Sequence, residues 1–136
     1  MRQYVLDANA VTRYLTKGPG VEKLDYLFAQ ARRGDAHLSI SVINRGEVLY
    51  HLARRAGLQE ATKTLQTLAR YTESVEITEE QADAAAALKF IYKLGYADCF
   101  AAELAMRTGA TLVTADPDFV KLGKRLKVTA LPRHRE

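Results

Sequence analysis

Four acidic residues stand where a carboxylate could do chemistry instead of facing water. Asp7 closes the apolar run Tyr4-Val5-Leu6, and Asp116 closes Leu112-Val113-Thr114-Ala115. In an open parallel sheet ligands bind at the carboxyl ends of strands, so two aspartates at such ends can share one crevice. Each alone has an ordinary reading too, as a helix N-cap or a turn residue. Asp98 is harder to explain that way. On a helix over 97–107, turning about 100° per residue, Phe100, Leu104, Ala101, Ala105, Ala102, Met106 and Cys99 form an apolar arc. Asp98 falls near the middle of that arc, while Glu103 and Arg107 take the polar side. A carboxylate on a buried face is costly unless it is hydrogen-bonded, paired or bound to a metal. Its place in the first turn allows some relief from backbone donors and the helix dipole. Glu47 borders the apolar stripe of a helix over 42–56, one turn from Ile43 and Tyr50.

Four unpaired carboxylates in one cleft would repel and raise one another's pKa values, and a divalent cation removes that conflict. All-oxygen ligation points to Mg²⁺ or Mn²⁺ and away from zinc. Such a site suits phosphodiester hydrolysis, with activated water attacking and cation charge stabilising the leaving oxygen. Other chemistries lack their signatures. The chain has no Gly-rich phosphate loop ending in Gly-Lys and no Gly-x-Ser-x-Gly elbow. His37, His51 and His134 have no zinc-type spacing, and Cys99 lies among apolar residues with no local histidine, so it reads as a small core residue.

Elements that alternate between strand and helix must position these acids. Gln3–Leu6 reads as a strand, followed by a helix through Val11, Tyr14 and Leu15 that Lys17-Gly18-Pro19-Gly20 breaks. Val21–Arg33 has helical spacing, His37–Ile40 reads as a second strand, and Ser41 can cap the helix over about 42–56. After Gly57 a further helix runs to about Tyr71, and Val75–Ile77 reads as a third strand. Thr78-Glu79-Glu80-Gln81 is a capping box opening an alanine-rich helix to about Leu94. Helix Ala97–Arg107 and strands at Thr111–Val113 and Lys127–Thr129 complete the pattern. Short strands alternating with helices argue for a parallel sheet covered by helices, an α/β fold.

At 136 residues, 48% hydrophobic and 26% charged, the chain is expected to form one folded domain and not a disordered or collagen-like polymer. The single Cys99 excludes an internal disulfide and a cysteine-based zinc cluster. No apolar run reaches the roughly 18–20 residues of a membrane span, and the start has no signal-peptide core, so a soluble, cytoplasmic protein is expected. The net charge of +4 is unevenly spread: residues 121–136 carry +5 and residues 1–120 carry −1. A basic extension on a near-neutral body suits a polyanion such as RNA or DNA, or simply a solvated tail. The expected division is a domain over 1–131 and a short basic tail over 132–136.

The segments Val5-Leu6-Asp7-Ala8-Asn9, Ser39–Val48 with Glu47, Tyr96-Ala97-Asp98-Cys99-Phe100-Ala101-Ala102 and Leu112–Phe119 with Asp116 and Asp118 together resemble PIN-domain nucleases. More narrowly, they are similar to VapC-type toxins of toxin–antitoxin pairs, over nearly the whole chain. The resemblance implies a three-layer α/β/α sandwich with a five-stranded parallel sheet. It also implies Mg²⁺- or Mn²⁺-dependent endoribonuclease activity on RNA, a cognate VapB-type antitoxin covering the active site, and a homodimer. By matching position, Asp7, Glu47, Asp98 and Asp116 correspond to the family's acidic quartet. Asp118 matches its frequent second aspartate, holding metal through water or orienting the loop. Asn9 and Thr114 match polar supporting positions, or serve only as capping and turn residues. The basic tail has no counterpart in the family pattern. Arg13, Arg45, Lys121 and Lys124 are candidate phosphate contacts by their closeness in sequence to the acids. Two other functions stay open: a stand-alone RNA-processing nuclease, and a non-catalytic RNA- or protein-binding module on the same fold.

Overall fold

Residue alternation along the first strand decides the layering. In Arg2–Leu6 (β1), Tyr4 and Leu6 pack into one hydrophobic cluster and Val5 into another, as a period of two requires when both faces of a sheet are covered. The structure, a computed structural model, describes residues 1–133. β1 is central and pairs in parallel with Ala36–Ser41 (β2) and Thr111–Thr114 (β4). Glu73–Val75 (β3) and Val128–Ala130 (β5) form the edges, giving the all-parallel order β3-β2-β1-β4-β5. The expected three-layer α/β/α sandwich with five parallel strands is what forms.

Helices α1 (Ala8–Thr16), α2 (Val21–Arg32), α3 (Val42–Ala56) and α4 (Leu58–Leu68) cover one face, with Val11, Leu24, Phe28, Val48 and Leu65 buried against Leu6, Leu38, Ile40 and Val113. Phe28 stacks on Tyr14 with ring centroids 3.8 Å apart. Helices α5 (Glu79–Tyr92) and α6 (Tyr96–Thr108) cover the other face, where Cys99, Phe100, Ala102 and Leu104 meet Val5 and Leu112. Cys99 is a buried free thiol in that cluster, the core role expected of it.

Local signals explain the helix starts. The Ser41 hydroxyl accepts from Ile43 N (3.3 Å) at α3, and the Thr78–Gln81 capping box is reciprocal, at 3.2 and 3.0 Å. Differences from expectation fall at edges. β3 lies at Glu73–Val75 and not Val75–Ile77, because Ser39–Ser41 of β2 sets the ladder while Ile77 leaves it to pack on the second cluster. α4 stops at Leu68, short of Tyr71, and α5 at Tyr92, where Lys93 turns into the left-handed region (φ 58°). A 3₁₀ segment, Pro117–Arg125, follows β4; Asp116 caps it and Pro117 supplies a preset first φ. Leu131 is buried, and the carbonyls of Pro132 and Arg133 accept from the Arg13 guanidinium, so the described start of the basic tail is fastened to α1. His134, Arg135 and Glu136 lie outside the described residues. Among the described residues no helix is long and apolar enough to cross a membrane.

Strand order places the site. From β1 the chain builds outward through β2 to β3, then returns to add β4 and β5 on the opposite side. This reversal leaves a crevice at the carboxyl ends of β1 and β4. In a parallel fold the helix leaving β2 begins at that end, and so does α6, which runs back to enter β4.

Candidate active site

Asp7 follows β1 directly and is 1% exposed. Its Oδ1 accepts from Ala8 N (2.9 Å), capping α1, so the ordinary reading of this residue is correct as far as that oxygen goes. Its Oδ2 accepts from Thr114 Oγ1 (2.7 Å) and Asn9 Nδ2 (3.1 Å). Asn9 Oδ1 in turn accepts from Ala115 N (3.0 Å), and Thr114 Oγ1 accepts from Asp116 N (3.0 Å) and from Asn9 Nδ2 (3.3 Å). Asn9 and Thr114 therefore staple the ends of β1 and β4 together and fix the Asp7 carboxylate between them.

Asp116 caps the 3₁₀ segment through Oδ1, which accepts from Asp118 N (2.9 Å). Asp98 stands in the first turn of α6 and is half-buried. Gly95 leaves it room: a Cβ there would lie 2.8 Å from Asp98 Oδ2. Glu47 is half-buried on α3, with Oε1 accepting from Asn44 Nδ2 (2.9 Å). Asn44 is fully buried and also donates to Ala97 O (3.0 Å), which locks the Glu47 turn of α3 to the Asp98 turn of α6.

The electrostatics follow from burial and crowding. Burial raises the Asp7 carboxyl to about 6; the Thr114 and Ala8 hydrogen bonds hold it down, and the charges of Glu47 and Asp116 push it further up. Asp98 rises to about 7, first through burial and then through the charges of Asp7, Asp116 and Glu47. The four acids thus feel one another across a single space. Asp118 is exposed, and its backbone N–H donates to Asp116 Oδ1.

Asp7, Glu47 and Asp98 line a cleft of about 560 Å³, with Asn9, Thr12, Arg13, His51, Arg54 and Arg55 along the rest of its wall. None of the four acids is ion-paired to a described basic residue. Among the described residues no three His, Cys, Asp or Glu side chains are placed to hold a metal ion together. The donor chemistry nonetheless fits a hard divalent cation: oxygen atoms only, an excess of negative charge, and two carboxyls whose protonation is favoured while that charge is uncompensated.

A PIN domain model matches residues 4–125, nearly the whole chain. The chain belongs to the PIN domain family. PIN domains are nucleases that generally use divalent metal ions. No curated protein sequence matches the chain significantly. Solved structures with this PIN fold include VapBC2 from Rickettsia felis bound to a DNA fragment from their promoter, at 19% identity and TM-score 0.75, covering 95% of this chain and 98% of that one. DNA-bound VapBC from Salmonella typhimurium is similar at 15% identity and TM-score 0.73, covering 96% and 98%. A toxin–antitoxin complex from Klebsiella pneumoniae is similar at 23% identity and TM-score 0.66, covering 93% and 95%.

The phosphate contacts expected from sequence proximity need correction. Arg13 lines the cleft, but its guanidinium is engaged by the carbonyls of Pro19, Pro132 and Arg133. Arg45, Lys121 and Lys124 do not line it. Arg45 lies two residues before Glu47, about 200° around the helix and so on another face. The residues that do line the wall, His51, Arg54 and Arg55, follow Glu47 by four, seven and eight positions. That helical repeat could have revealed them.

Proposed function

We propose that this PIN domain protein is a divalent-metal-dependent endoribonuclease hydrolysing RNA phosphodiester bonds, and the toxin of a VapBC-type toxin–antitoxin pair. The observation supporting the reading is that Asp7, Glu47 and Asp98 line one cleft and, with Asp116, raise one another's pKa, none of them ion-paired to a described basic residue. Asp7, Asp98 and Asp116 would hold Mg²⁺ or Mn²⁺, with Glu47 as a further ligand or as the group orienting the hydrolytic water. Asp118 would hold the cation through water or orient the loop, its backbone N–H supporting Asp116. When bound, the cation supplies charge that activates water and stabilises the leaving oxygen. The chain's own residues hold the geometry: Asn9 and Thr114 orient Asp7, Gly95 gives Asp98 its space, and Asn44 aims Glu47.

The likeness to solved VapBC and toxin–antitoxin complexes supports a VapB-type antitoxin as partner. A homodimer working in the cytoplasm, where its RNA substrate is found, completes the reading. RNA cleavage by purified protein should require added Mg²⁺ or Mn²⁺ and stop with chelator, and sequencing the cleaved ends after brief induction in cells should identify the target. Robust cleavage by chelator-treated protein would overturn the metal-dependent reading.

A further inference from the structure

A phosphodiester strand approaching Asp7, Glu47 and Asp98 meets like charge, so the cleft needs a cationic wall beyond them. Arg13 is already engaged by three carbonyls. Arg54 and Arg55 line the same cleft, are exposed, and are ion-paired to no described residue. They lie two turns beyond Glu47 on α3, about 10–12 Å along the axis. The Arg54 guanidinium sits 5.6 Å from the centroid of the Tyr50 ring, and Tyr50 is 59% exposed. The His51 ring, on the cleft wall between Glu47 and the arginines, is 5.6 Å from Tyr50. Cations beside exposed rings are the composition of surfaces that hold single-stranded nucleic acid, phosphates on the charges and bases on the ring faces.

We propose that the second half of α3 is a single-strand track: Arg54 and Arg55 grip backbone phosphates of the RNA flanking the cleavage point, and the Tyr50–His51 shelf receives a base. This rests on the nuclease reading above. It directs the strand flanking the scissile bond along α3 toward Gly57 for several nucleotides.

The test uses the full chain and a labelled single-stranded RNA hexamer, with binding measured across a salt series in an Asp98→Asn background that stops cleavage. Each phosphate contact to a single strand contributes about 0.7 to the slope of log affinity against log salt. Arg54→Ala with Arg55→Ala should lower that slope by about 1.4 and weaken binding roughly tenfold. Arg54→Lys with Arg55→Lys should recover most of the slope, because a lysine still neutralises a phosphate. In the catalytically intact chain the alanine pair should raise KM far more than it lowers kcat. Both arginines also sit in the last turn of α3, where cations favour the helix dipole. A purely structural role there would shift the melting temperature and leave the salt slope alone. An unchanged slope and KM in a chain that does cleave RNA would overturn the track and leave the nuclease reading standing. A wild-type chain that neither binds nor cleaves RNA would overturn both.

Discussion

At the scale of single residues, Asp98 separates a metal ligand from a helix-terminal carboxylate. Asn is nearly isosteric, and Asp98 makes no capping bond in α6, whose N-cap is Gly95, so a structural Asp98 should tolerate Asp98→Asn with only the loss of a charge–dipole attraction in the first turn. A ligand should not, because a neutral amide oxygen replaces a charged donor, and turnover should fall by orders of magnitude. The metal-free variant should melt at or above metal-free wild type, since one of four crowded charges is gone. Near wild-type cleavage together with an unchanged Mg²⁺-induced melting shift would return Asp98 to a structural role. The residue was legible because a charge in an apolar arc violates helical patterning. Asp7 and Asp116 were legible as acids at strand ends, and both turn out to combine a capping bond with a place in the acidic cluster. Asn44 was invisible. Its partner is the Ala97 carbonyl, a backbone group fifty-three positions away, and no side-chain pattern encodes such a bond.

At the scale of elements, that same bond couples the two helices that carry Glu47 and Asp98. Asn44→Ala would free Glu47 and leave the Ala97 carbonyl without its side-chain donor. Losing hydrogen bonds at a buried site costs about 1–3 kcal/mol. The expected result is a lower denaturant midpoint together with reduced cleavage, the loss smaller than for Glu47→Gln because the carboxylate itself remains. A variant as stable and active as wild type would show that α3 and α6 keep their register without this tie. Elements were read most reliably where the signal is internal to the segment. The capping box of α5, the Ser41 cap of α3 and the apolar run of β1 each announce themselves locally. The edge strands β3 and β5 were displaced because hydrogen bonding to a neighbour, not their own apolar content, sets their limits. The 3₁₀ segment was missed although Asp116-Pro117 marks its start and its apolar residues fall on one face; it is short, and non-helical backbone at Gly123 (φ 56°) interrupts it.

At the scale of the whole molecule, the buried acids make stability depend on pH in a direction opposite to ordinary salt-bridged carboxylates. Asp7 and Asp98 have folded-state values raised to about 6 and about 7, against 3.8 for a free aspartate. Between pH 4 and 7 the folded state therefore binds more protons than the unfolded chain, so stability falls as pH rises through this window and levels off above it. For nearly fully buried Asp7 alone the shift corresponds to at most about 3 kcal/mol. A divalent cation held by these groups competes with protons and binds only the folded state, so its stabilisation should grow with pH over the same interval. Metal-free protein should thus melt at a lower temperature at pH 8 than at pH 5.5, and saturating Mg²⁺ should raise the melting temperature much more at pH 8. Thermal melts at both pH values, with and without Mg²⁺, read this directly. Metal-free stability that climbs toward pH 8, or a Mg²⁺ shift of equal size at both pH values, would mean that the acids are not held together as a proton- and cation-linked cluster. Asp98→Asn should shrink the pH dependence and the Mg²⁺ shift together, because both arise from one uncompensated excess of negative charge at the point where the strand order of the sheet reverses.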